Sequence, residues 1–103
     1  MNHVNLIGTV GTIPRLAKDG SGKQVARFIL STKEDYLDAS GTLKARNFKH
    51  LISAWGRWIP IVVEYGKEGV ELAVEGRLTT RFYNSNGKVN YITEVEVNDL
   101  IIM

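Results

Sequence analysis

An all-β fold, a small closed barrel of five strands with one short helix between the third and the fourth, is what this chain predicts. Three observations carry that expectation. Runs rich in Val, Ile, Thr, Tyr and Phe recur along the chain, separated by clusters of Gly, Asn, Asp and Ser. Only the stretch from Trp58 to Tyr65 has helical spacing. The last third holds a strong hairpin signature, with strand formers on both sides of Asn84-Ser85-Asn86-Gly87.

The elements follow in order. Val4–Val10 reads as the first strand, with Gly8 and Gly11 marking a bend or bulge. Pro14 to Gly22 reads as a loop, because Asp19-Gly20-Ser21-Gly22 is dense turn chemistry. Gln24–Lys33 is the second strand: Ala26, Phe28, Leu30 and Thr32 share one face, and Val25, Arg27, Ile29 and Ser31 the other. Glu34 to Leu43 is a polar connection with a turn at Ser40-Gly41. Arg46–Trp55 is the third strand, with Phe48, His50, Ile52 and Ala54 opposite Lys49, Leu51, Ser53 and Trp55. In the helix, Trp58, Ile61, Val62 and Tyr65 recur at helical spacing, Pro60 is tolerated in a first turn, and Gly66 and Gly69 stop it. Val70–Tyr83 and Val89–Val97 are the fourth and fifth strands. The five-stranded OB-fold barrel has this layout, and its outer face commonly binds oligonucleotides. A small sandwich is the structural alternative.

With 103 residues, 44% of them hydrophobic, the chain is expected to form one domain with a compact core. The absence of cysteine excludes a disulfide framework, Cys-ligated zinc and thiol catalysis. No charged-then-apolar leader opens the chain and no apolar run reaches membrane-spanning length, so the expectation is a cytoplasmic protein without a membrane partner. No Gly-rich phosphate loop, metal-ligand spacing or nucleophile–base arrangement occurs. The expectation is therefore a non-enzyme with no metal, cofactor or small-molecule substrate. His50 and His3 lack any partner that would suggest chemistry.

Net charge is only +2, but its distribution is uneven. Acidic residues gather in Glu64–Glu75 and at Glu94, Glu96 and Asp99, while Arg15, Lys18, Lys23, Arg27, Lys33, Lys44, Arg46, Lys49 and Arg57 lie between Arg15 and Arg57. A polyanion partner fits that pattern, as does ordinary solvated charge. In the hairpin, period-two alternation places Arg77, Thr79, Arg81 and Tyr83 on one face. Two guanidinium groups and a ring suit phosphates and bases; a solvated strand face would show the same residues.

The chain also resembles the bacterial single-stranded DNA-binding protein family over nearly its whole length. The shared stretches are Val4-Asn5-Leu6-Ile7-Gly8 through Val10-Gly11 and Pro14, Gly22 through Val25-Ala26, His50 through Trp55-Gly56, Glu64-Tyr65 through Gly69, Val74-Glu75-Gly76-Arg77-Leu78 with Thr80-Arg81, and Tyr91 through Thr93-Glu94-Val95. Each is weak alone; their order and spacing make the resemblance specific. It implies an OB-fold that coats single-stranded DNA without sequence preference, usually as a homotetramer. It also implies base stacking on Tyr36, Trp55 and Tyr83 bordering one surface, and phosphate contacts from Arg57, Arg81 and Arg77. Lys49 stands where the family usually has a further tryptophan, which exchanges stacking for charge and implies a steeper salt dependence. Phe48 beside it falls on the Ile52 face and is expected in the core, and Trp58 is expected to pack. Members usually continue into a disordered tail with an acidic tip; this chain ends at Leu100-Ile101-Ile102-Met103, so the expectation is an OB-fold core lacking that tail. The alternative is a tailless primosomal replication protein, a homodimeric OB-fold adaptor.

Overall fold

The computed structural model describes all residues from Met1 to Met103. The elements are β1 (Val4–Val10), β2 (Arg15–Lys18), β3 (Gln24–Leu37), β4 (Leu43–Trp55), α1 (Trp58–Tyr65), β5 (Glu71–Ser85) and β6 (Lys88–Ile102). β1 pairs with β5, β5 with β6, β6 with β4 and β4 with β3, and β3 returns to β1 through Thr9↔Ser31 and Val10↔Leu30. That ring is a closed five-strand barrel consistent with an OB-fold.

Two corrections to the sequence reading follow. Arg15–Lys18 is a strand where a loop is expected, paired with β3 from Arg15↔Arg27 to Lys18↔Gln24. The helix therefore lies between the fourth and fifth strands, not the third and fourth, although β2 sits outside the ring and the barrel keeps five. All four residues of β2 are exposed, so no apolar alternation marked it; the ladder to β3 holds it. Similarly, the polar Glu34–Leu43 connection is mostly strand. The β3–β4 register continues unbroken to Leu37↔Leu43, well past the barrel. A ribbon held by its own backbone bonds with water on both faces needs no buried face.

The turns show why these ribbons form. At the β3–β4 tip the Asp38 carboxylate accepts from Ser40 N (3.0 Å), Ser40 Oγ (2.8 Å) and Thr42 N (2.9 Å). Asp19 repeats this between β2 and β3, accepting from Ser21 N (2.9 Å), Ser21 Oγ (2.7 Å) and Lys23 N (2.9 Å). These bonds, the serine hydroxyl's first, hold both carboxyls below their ordinary range. The β5–β6 hairpin turns on Asn86 (φ 53°) and Gly87 (φ 77°), the two-residue left-handed turn that Asn-Gly favours.

The core is the even-numbered face of β3 and β4, with Ala26, Phe28, Leu30, Ile52 and Ala54 buried against Val10, Leu72, Val74, Val95, Val97 and Leu100. From α1, Val62 is fully buried, and Trp58, Ile59 and Ile61 pack beside it, as expected for Trp58. Barrel closure demands two glycines. A Cβ on Gly8 would stand 2.3 Å from the Ser31 carbonyl oxygen, where β1 passes from β5 to β3. A Cβ on Gly76 would stand 2.1 Å from the Glu96 carbonyl oxygen, beside the register shift at Glu75/Gly76. Phe48 is a third correction: it is 41% exposed. Its alternation is that of the core face, but Thr32↔Phe48 lies where the ribbon has already left the barrel.

Candidate nucleic-acid interface

Register decides which side chains share a surface. On β3 and β4, Val25↔Trp55, Arg27↔Ser53, Ile29↔Leu51 and Ser31↔Lys49 are paired rows facing away from the core. β6 joins through Ser53↔Glu96, and β5 through Arg77↔Glu96, Thr79↔Glu94, Arg81↔Ile92 and Tyr83↔Asn90. The outer face of β3, β4, β6 and β5 thus carries Lys49, Trp55, Arg77, Arg81 and Tyr83 together. Arg57 stands just beyond Trp55, before α1, with its guanidinium 4.8 Å from the Trp58 ring centre. Tyr36 is not on this face. It pairs with Lys44, in the alternate rows that include Glu34↔Arg46 and Thr32↔Phe48, so the expectation of one surface bordered by Tyr36, Trp55 and Tyr83 is not met.

The electrostatics are more neutral than the residue types suggest. Glu94 is buried, and Arg27 reaches it with two N–H bonds, Nε to Oε2 at 3.0 Å and Nη2 to Oε1 at 3.3 Å. Arg81 Nε also bonds Glu94 Oε2 at 3.3 Å. Arg77 is clamped on Glu96, with Nη2 at 2.7 Å from Oε2. Both hairpin arginines therefore have carboxylate partners, whereas Arg46, Lys49 and Arg57 have none. Around Trp55, Lys23 Nζ lies 5.8 Å and Arg27 Cζ 5.9 Å from the ring centre. Cations over a ring at those distances are attracted by its quadrupole.

Sequence reasoning missed Lys23 and Arg27, whose proximity to Trp55 follows only from the Val25↔Trp55 row. It also missed Arg46, whose Cζ lies 3.9 Å from the Tyr36 ring centre and 5.9 Å from that of Phe48. Phe82 and Tyr91, each 70% exposed with ring centres 6.4 Å apart, form a second aromatic pair on the β5–β6 hairpin, on the face opposite Tyr83. His50 Nε2 is 2.8 Å from Thr32 Oγ1, and no cluster of acidic, His or Cys side chains could hold a metal.

A five-strand OB barrel with cations and exposed rings on its outer face defines a class of nucleic-acid-binding domain. Comparison identifies the family. The profile of the Single-strand binding protein family matches residues 1–103, and the chain belongs to that family. It is 39% identical over 102 residues to Single-stranded DNA-binding protein 1 of Chlorobaculum tepidum, covering 97% of this chain and 63% of that protein. It is 39% identical over 103 residues to the Single-stranded DNA-binding protein of Bacteroides thetaiotaomicron, covering 97% of this chain and 64% of that one. The chain thus spans somewhat less than two-thirds of these curated relatives. A structure described as a Plasmodium falciparum SSB complex with ssDNA aligns at TM-score 0.83 and 32% identity, covering 100% of this chain and 95% of that one. The fold is shared at TM-score 0.83 with a deletion mutant of the single-stranded DNA binding protein from Thermus aquaticus, 23% identical, covering 100% of this chain and 50% of that one.

Proposed function

We propose that the chain coats single-stranded DNA without sequence preference, in replication, recombination and repair, stacking bases on Trp55, Tyr83 and Tyr36 and drawing phosphates with Lys49, Arg57, Arg77 and Arg81. Beyond family membership, the observation that carries this reading is Trp55. Its half-exposed ring ends β4 beside Lys23 and Arg27, on a face shared with Lys49 and Tyr83. Stacking is indifferent to base identity and contributes about 1–3 kcal/mol per base. Trp55→Ala should therefore weaken oligo-dT binding by about that amount with the fold retained, and binding should quench the parent's tryptophan fluorescence. Equal affinity of mutant and parent at matched salt would refute the Trp55 assignment.

One OB fold covers about 4–16 nucleotides, so wrapping a longer strand needs several copies. The same proposal therefore includes a homotetramer. Two features support self-association. The β1 edge is open over Val4–Gly8 on the side away from β5. The outer face of β1, β5 and β6 exposes Ile7 (63%) and Ile101 (59%) around Ala73. The homodimeric primosomal adaptor is favoured by one observation, the pairing of both hairpin arginines with carboxylates. Sedimentation equilibrium at micromolar protein separates the readings: a tetramer supports coating, a dimer the adaptor, and a monomer refutes wrapping.

A further inference from the structure

The β3–β4 ribbon carries an aromatic–cation–aromatic arrangement of which the proposed function uses only Tyr36. Tyr36, Arg46 and Phe48 share the face opposite Lys49 and Trp55, because their rows alternate with those of the outer face. The Arg46 Cζ stands over Tyr36, 3.9 Å from the ring centre, and Phe48 flanks it at 5.9 Å. Arg46 is exposed, Phe48 is 41% exposed and Tyr36 is half-buried, so the set is open to solvent. Glu34 stands opposite Arg46 in the register, yet the two make no ion pair or hydrogen bond. Lys44, in the next row, is occupied by Asp38 at 3.1 Å.

We infer that Tyr36, Arg46 and Phe48 form a nucleotide subsite on the reverse face of the ribbon, taking a phosphate on Arg46 and unstacked bases on the two rings. This rests on the single-strand-binding reading and extends it to a second face. A guanidinium held against a ring keeps its N–H edge pointing outward, and that planar fork suits a phosphate. Its charge is unspent, unlike those of Arg27, Arg77 and Arg81. The rings beside it supply the sequence-tolerant stacking that single-strand binding needs. Lys49 occupies the outer face without a ring, while Phe48 supplies a ring one residue away on the reverse face. One step along a strand moves a platform from one side of the ribbon to the other.

The test is oligo-dT titration over a salt series with the parent, Phe48→Ala, Arg46→Ala and Arg46→Lys, each checked for fold by far-ultraviolet circular dichroism. All three substitutions fall on the protruding ribbon, outside the core. Phe48→Ala should weaken binding about 5- to 150-fold with an unchanged salt slope. Arg46→Ala should weaken binding and lower the log–log slope by about 0.7, and Arg46→Lys should restore the slope. Photocrosslinking with 5-iodouracil oligonucleotides should mark Phe48. Parent binding with both Phe48→Ala and Arg46→Ala indistinguishable from it, and no crosslink on Phe48, would overturn the subsite and leave the functional reading standing. No binding of oligo-dT by the parent at low salt would overturn both.

Discussion

Glu94→Gln should pull stability and DNA affinity in opposite directions. Glu94 is 4% exposed and accepts from Arg27 at 3.0 and 3.3 Å and from Arg81 at 3.3 Å. Glutamine keeps the shape and one acceptor oxygen but loses the charge. Hydrogen bonds to charged groups contribute about 1.5–3 kcal/mol, and two arginines in solvent contact recover part of that loss as hydration, so a net cost of about 1–2 kcal/mol is expected. For a domain of this size that corresponds to a fall of roughly 4–16 °C in Tm, measured at fixed protomer concentration. The same substitution turns an Arg27–Arg81–Glu94 cluster of net +1 into one of +2, because only the carboxylate charge is removed. One further cation on the outer face should steepen the log–log salt slope for oligo-dT by about 0.7 and tighten binding at low salt. Calorimetry and fluorescence titration over a salt series read the two effects separately. A folded variant with weaker binding and a shallower slope would refute the argument: Glu94 would then orient its arginines toward phosphate, not neutralise them.

The other expectations follow the same reasoning. Arg57→Ala should remove about 0.7 from the salt slope, whereas Arg77→Ala, already paired with Glu96, should remove clearly less; equal losses would mean the ion pair opens fully on binding. Gly76→Ala drives a Cβ to 2.1 Å from the Glu96 carbonyl oxygen and should cost about 1–3 kcal/mol or more by denaturant unfolding. Asp19 and Asp38 have carboxyls held below the ordinary range chiefly by Ser21 and Ser40. Their contribution to turn order is present above the unfolded-state pKa and is lost as pH falls through the depressed folded value. Carboxyl NMR titration should show midpoints below the usual aspartate range, and Ser40→Ala should move that of Asp38 upward.

Much of the barrel was legible because its elements obey local rules. The turn at Asn86-Gly87, the helix from Trp58 to Tyr65 and the buried row of Ala26, Phe28 and Leu30 need only turn chemistry and periodicity. What local rules could not show was where the barrel ends. Phe48 and Ile52 alternate correctly on one strand, yet Ile52 is fully buried and Phe48 is exposed, because four residues carry the ribbon out of the core. Arg15–Lys18 failed to register for the opposite reason: it buries nothing and exists as a strand only through the backbone of β3.

The site was legible in kind and less so in arrangement. Residue types and family resemblance point to rings and cations, and alternation places Arg77, Arg81 and Tyr83 together, as observed. Alternation within one strand does not report the charge on the next. Glu94 and Glu96 come to lie across from Thr79 and Arg77 only through the β5–β6 register, and with them the nominal cations of the hairpin become paired groups. Tyr36 shows a different limit. It lies six residues beyond Leu30 on one unbroken strand, so alternation puts it on the reverse of the ribbon from Trp55; with the strand read as ending at Lys33, that parity had no strand to run along. The Asp38 turn, by closing the ladder at Leu37↔Leu43, decides which residues of β4 lie beside Tyr36: Lys44 opposite it and Arg46 one step along the same face, and the path of a bound strand over this ribbon depends on that neighbourhood.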